Sequence, residues 1–188
     1  MKSIDAIAQV CRSLSENIPD VAISTLRENY PFNPKPHSKA HCTPLESTLV
    51  FIHDGFIDRY SGEKLVFPPV LPLISSVLPK EFPFHPNWKS DVTHPAYWEV
   101  GATIDHLQPL ALGGKHDKSN WLTTSMAHNF SKQTWTLEQL GWRLHDPGDI
   151  KQWDGLLGWF LEYTAAHPEA LKIRTVKTWH SAAKQAKI

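Results

Sequence analysis

The stretch Ile104-Asp105-His106-Leu107-Gln108-Pro109-Leu110-Ala111-Leu112-Gly113-Gly114-Lys115-His116-Asp117-Lys118-Ser119-Asn120-Trp121, running on to His128-Asn129-Phe130-Ser131-Lys132, decides how this chain is read. The β-branched and aromatic content from Tyr97 to Leu110 predicts a strand, ended by Pro109. Gly113-Gly114 then predicts a flexible loop that Ser119 or Asn120 closes, and Trp121 to Lys132 reads as a helix for which Asn120 is a suitable N-cap. Adjacent strand residues point to opposite faces, so Asp105 and His106 can serve one site only where the strand twists or ends. Pro109 and the glycine loop supply such an end.

Several independent points in this stretch resemble the signature of the HNH, or ββα-metal, nucleases. They are the Asp-His pair, the proline three residues after His106, the paired glycines, the Asn120-Trp121 step, and Asn129 with Lys132 three residues beyond it. His106 to Asn120 spans fourteen residues and Asn120 to Asn129 spans nine, spacings common in that family. The resemblance implies that Asp105 and Asn129 bind a divalent cation, Mg²⁺ or Mn²⁺, and that His106 faces the water that attacks phosphorus. It also implies that Asn120 links the two sides of the ββα turn and keeps His106 oriented. Hydrolysis of a phosphodiester needs a deprotonated nucleophile and relief of charge on the departing 3′ oxygen, and one histidine and one metal meet those needs. A carboxamide oxygen is a hard, neutral donor suited to such a cation beside a carboxylate. His128 competes with Asn129 for the metal position, but the nine-residue step from Asn120 and the three-residue step to Lys132 favour Asn129. Lys132 is assigned a phosphate contact, with a solvated helical lysine as the plainer alternative. Asp105 is expected to raise the pKa of His106 and the cation to oppose the rise, so that activity climbs through roughly pH 6–7.5.

The chain departs from the family at its zinc knuckle, which many members build from two Cys-x-x-Cys pairs. Asp58-Arg59-Tyr60-Ser61-Gly62 resembles the first turn with both thiols absent, and Ser125 and His128 stand in the second pair's places, so no structural zinc is expected. Cys11 and Cys42 read as inert thiols, and stability is left to packing, for which eight tryptophans offer large apolar surfaces. Among the other histidines, His37, His41, His53, His85, His94 and His116 are scattered without metal spacing.

Outside this stretch, the composition is that of a folded protein, with 41% hydrophobic and 20% charged residues among 188. Lys plus Arg equals Asp plus Glu at 19 each, which argues against an indiscriminate nucleic-acid coat while leaving room for local phosphate contacts. No apolar run approaches the roughly 18 residues of a membrane span and the N-terminus lacks a signal peptide's apolar core, so a cytoplasmic location without a membrane partner is expected. Helices are predicted over residues 3–17 and 21–30, a proline-rich stretch of loops follows, Thr48 to His53 reads as helical, and Asp58 to Leu65 as a turn ending in a strand. Further helices are predicted after Thr136 with Glu138, stopping at Gly141, and over Asp149 to His167. The last 19 residues hold five Lys or Arg and no acid, a basic patch that suits either a solvated helix face or a DNA contact.

The expected fold class is therefore α+β: a ββα-metal (HNH) core over residues 45–132, a helical and proline-rich extension over 1–44, and a helical extension over 133–188, packed as one compact unit. The function the resemblance implies is endonucleolytic hydrolysis of DNA, in a restriction or defence role. The alternatives are a catalytically silent nucleic-acid-binding module of the same fold and an RNA-cleaving nuclease.

Overall fold

The computed structural model describes residues 3–32 and 41–186, so Pro34, Pro36 and His37 lie outside the described residues. The chain divides into two compact units, residues 1–38 and 39–188. The first is a hairpin of α1 (Ser3–Ser15) and α2 (Pro19–Asn29), which turns at Asn17 with a left-handed φ of 58°. Small side chains close it: Ala6, Ser13, Ala22 and Thr25 are buried, while Ile4, Ile7 and Leu14 of the predicted apolar face stay exposed.

The second unit begins at α3 (Pro44–His53), four residues ahead of the predicted start. Thr43 and Glu46 cap each other's backbone N–H groups reciprocally, and Pro44 has its φ preset for the first turn. Residues 57–66 form a turn held by two isolated bridges, Ile57 with Lys64 and Val66 with Gly101, and not the expected strand. Then come α4 (Val70–Val77), α5 (Ala96–Glu99) and β1 (Ala102–His106). Tyr97, expected in the strand, lies in α5 because the turn after Pro95 closes helically with Glu99 N–H donating to the Pro95 carbonyl. Single 3₁₀ turns at Leu110–Leu112 and Lys118–Asn120 lead to β2 (Trp121–Ser125) and α6 (Met126–Lys132).

The first half of the helix predicted from Trp121 is thus a strand. It pairs antiparallel with β1, with Ala102 opposite Ser125 and His106 opposite Trp121. Thr123 and Thr124 suit a pleat, but an isolated two-stranded ribbon is marginal. The outer edge of β2 is completed from afar: Thr123 N–H donates to Asp54 (2.7 Å), Ser125 N–H donates to Asp58 (2.8 Å), and Arg59 N–H donates to the Thr123 carbonyl (2.9 Å). Ser125 then caps α6.

Beyond α6, Thr136 caps α7 (Leu137–Leu140) with Gln139, not Glu138, as its reciprocal partner, and Gly141 ends it in the left-handed region. The predicted helix over 149–167 shrinks to α8 (Leu157–Ala166), since Asp149 and Asp154 hydrogen-bond their own following backbone and hold residues 149–156 in turns. A 3₁₀ turn, Pro168–Lys172, leads to α9 (Arg174–Gln185). Phe51, Phe56, Leu65 and Phe67 share one core with Phe160 of α8 and Val176 and Ala183 of α9, so the C-terminal helices belong to the same body as the ribbon. Trp179 of α9 stacks on Phe51, with centroids 6.2 Å apart. Mixed helix and a small antiparallel sheet make the chain α+β. Among the described residues, no helix is long and apolar enough to cross a membrane.

Candidate active site

The outer edge of β1 faces α6. Ile104 and His106 stand two apart, so their carbonyls leave the same edge, and each accepts from a side chain of α6: Asn129 Nδ2 reaches Ile104 at 3.1 Å and Lys132 Nζ reaches His106 at 2.8 Å. Three residues of helix advance about 4.5 Å against about 6.6 Å for two of strand, and the longer lysine arm covers the difference. This corrects the reading of Lys132 as a phosphate contact or a solvated lysine. It is fully buried, and its ammonium also pairs with Asp105 Oδ2 at 3.0 Å. A buried ammonium has to be paired, and these two acceptors hold it inside.

Asp105 is itself buried, and the same Oδ2 accepts from the Tyr60 hydroxyl at 2.7 Å. Burial and the adjacent Asp105 carboxylate push the Tyr60 hydroxyl well above its ordinary value, so it serves as a donor. Both contacts fall on Oδ2, and among the described residues Oδ1 takes no hydrogen bond. Asn129 donates one amide hydrogen to β1, and among the described residues its carboxamide oxygen takes no hydrogen bond.

Asn120 is buried where β2 begins. Its Oδ1 accepts from Gln108 N–H (2.8 Å), and its Nδ2 donates to the carbonyls of Gln108 (2.9 Å) and Lys115 (2.8 Å), tying both ends of the glycine loop. Gly114 passes so close beneath that a Cβ there would collide with the Gln108 carbonyl. The loop delivers His116, whose Nδ1 lies 2.9 Å from His106 Nε2 and whose ring packs against Trp121 with centroids 4.9 Å apart. Two ring nitrogens at that distance share one proton between them.

His106 is half-buried at the strand end. Burial, then the His116 charge, lower its pKa, and Lys132 adds to them. Asp105 acts in the opposite direction without reversing the shift. The expected upward pull of Asp105 is therefore outweighed, and the imidazole is neutral at neutral pH.

His128 turns away from this edge. Its Nδ1 lies 2.8 Å from Asp58 Oδ2 and 3.0 Å from Ser125 Oγ, and Ser125 N–H donates to the same Asp58 oxygen, so Asp58, Ser125 and His128 bond to one another. Asp105, His106, Asn129 and Lys132 thus meet at one strand end, and His128 is separate. Sequence reasoning missed Tyr60 and His116: nothing in their local spacing signals a role, since one comes from a turn 45 residues before Asp105 and the other was read as an isolated loop histidine.

Among the described residues, no group of three or more His, Cys, Asp or Glu side chains is arranged to hold a metal ion. No family model matches the chain, no curated protein matches it, and no solved structure matches it.

Proposed function

We propose that this chain is a metal-dependent endonuclease that hydrolyses DNA phosphodiester bonds, with an HNH-type core formed by β1, β2 and α6. The observation that carries this reading is the convergence at the end of β1: a neutral, half-buried His106, an Asp105 with one oxygen uncommitted, and an Asn129 with its carboxamide oxygen uncommitted. The donor set fits the implied cofactor, because a carboxylate and a carboxamide oxygen are hard ligands for Mg²⁺ or Mn²⁺, which keep most of their coordination for water and phosphate. Such an ion, when bound, supplies relief of charge on the departing oxygen.

The chain's own residues do the rest. His106 removes a proton from the attacking water, and its neutrality at neutral pH leaves it ready to do so. His116 orients the ring through the Nε2 to Nδ1 contact, and Asn120 holds the loop that carries His116. Lys132 and Tyr60 hold Asp105 from one side, fixing the direction of the remaining oxygen. With saturating metal, the rate therefore reaches half its plateau at a pH below the ordinary histidine value of about 6.5.

The test is incubation of purified protein with plasmid DNA, single-stranded DNA and RNA in Mg²⁺, Mn²⁺ or chelator. DNA cleavage that chelator stops, without a change in the protein's circular dichroism, is the expected result. Cleavage of RNA alone would reassign the substrate. No cleavage in any arm would leave a silent nucleic-acid-binding fold.

A further inference from the structure

A cavity of about 520 Å³ opens beside β1 and reaches His106. One wall is aromatic, made of Phe84, Trp88 and Tyr97, and Thr175 and Trp179 of α9 line it as well. Phe84 stacks on Tyr97 with centroids 4.7 Å apart, and Trp88 stands edge-on to the same ring at 5.7 Å. Tyr97 is buried, but the two rings packed on it are not core: Phe84 is 40% and Trp88 38% exposed. Trp88 also sits at φ +53°, a left-handed conformation that costs a bulky residue energy and that glycine would adopt freely.

An apolar cavity in the size range of ligand pockets, with one aromatic wall, matches a flat ligand such as a nucleobase. Flat bases stack on aromatic rings. In a continuous duplex both faces of a base are covered by its neighbours, so only an unpaired or extruded base can enter. Because His106 lies on the cavity's border, the base in it belongs to a nucleotide next to the phosphate under attack.

We infer that this cavity receives one unpaired nucleobase of the substrate, and that the enzyme selects single-stranded or unpaired DNA over continuous duplex. This rests on the nuclease reading, and the experiment separates the two. Binding of a DNA oligonucleotide carrying 2-aminopurine, single-stranded or annealed, is followed by polarisation and by aminopurine fluorescence in chelator, where nothing is cut. The same substrates are then incubated with Mn²⁺. The variants are Trp88→Gly, which removes the ring while suiting the backbone at that position, and Phe84→Ala, each checked by thermal melting.

The expected result is single-strand binding at least about tenfold tighter than duplex binding, with aminopurine quenched by stacking. Trp88→Gly should lose the quench and about tenfold in single-strand affinity, with duplex binding unchanged, in line with the worth of one base on one ring. Phe84→Ala should weaken the quench in the same direction, and it carries the test should Trp88→Gly fail to fold. Equal binding of both forms, or a preference and quench that survive both variants, overturns the inference even if DNA is cut. Trp88-dependent quenching of a strand that is never cut upholds the cavity and overturns the nuclease reading.

Discussion

Asp58 and Asp105 are both buried carboxylates beside the same two-stranded ribbon, and they are used in opposite ways. Asp58 fills both its oxygens: Oδ1 accepts from Tyr60 N–H (2.9 Å) and the Thr124 hydroxyl (3.0 Å), and Oδ2 accepts from Ser125 N–H (2.8 Å) and His128 Nδ1 (2.8 Å). Asp105 takes both its donors, the Tyr60 hydroxyl and the Lys132 ammonium, on Oδ2 alone. A carboxylate with every lone pair engaged ties chain segments together and has nothing left for a ligand. One held from a single side is oriented and still able to bind. Tyr60 joins the two regions, its N–H serving Asp58 and its hydroxyl serving Asp105.

The comparison is challenged hardest at Asp105. Asp105→Ala should abolish cleavage and also cost about 3–5 kcal/mol in unfolding free energy, because it leaves the fully buried Lys132 ammonium without its ion-pair partner. Adding Lys132→Met should recover much of that stability in urea unfolding without restoring cleavage. Full stability in the single variant would show that the pair is not structural.

His106→Ala comes next, with an expected loss of about 10²–10⁴-fold in single-turnover rate. Its melting temperature should stay near wild type, since the imidazole bonds only His116 while the carbonyl that holds Lys132 belongs to the backbone. Near wild-type turnover would remove His106 from the chemistry.

Asp58→Asn should do the reverse, leaving turnover per folded molecule unchanged and costing about 2–3 kcal/mol of stability, the worth of charge-assisted hydrogen bonds. Burial pushes the Asp58 carboxyl up, but the N–H groups of Tyr60 and Ser125, together with His128 and the Ser125 hydroxyl, outweigh it and hold the group below its ordinary value. A lowered carboxyl contributes its full stability above the unfolded value of about 3.9 and loses it as pH falls through the folded value. The stability gap between wild type and Asp58→Asn should therefore be constant from neutral pH to about 4 and narrow below it. A gap that closes nearer pH 6 would point to a different group.

The smallest effects distinguish the neighbours on α6. Asn129→Ala should weaken Mn²⁺ binding by calorimetry with little change in stability. His128→Ala should leave Mn²⁺ binding intact and cost about 1 kcal/mol, the net worth of one hydrogen bond. The opposite order would move the ligand to His128.

Much of the local structure is legible along the chain because its causes are local. Pro19 at the start of α2, Thr136 capping α7 and Gly141 ending it act on backbone groups within three or four residues, so spacing alone suffices. Five residues such as Trp121–Ser125 fit either a strand or the first turns of a helix. What selects the strand is β1 on one edge and Asp54, Asp58 and Arg59 on the other, more than sixty residues upstream. The candidate site divides in the same way. Asp105 and His106 at a strand end, with Asn120 closing the glycine loop, are placed by their own sequence neighbourhood.

The sequence by itself therefore determined the strand that carries Asp105 and His106, the glycine loop that Asn120 closes and the type of donor at each position, since side-chain chemistry and spacing are properties of the chain. Only the tertiary structure decided which partner each donor meets. Lys132 is buried because the carbonyl of His106 and the carboxylate of Asp105 face α6 across space. His128 and Asn129, adjacent in sequence, point to Asp58 and to β1 because successive residues of a helix lie about 100° apart around its axis. Burial, which lowers the pKa of His106, likewise has no counterpart in a linear chain.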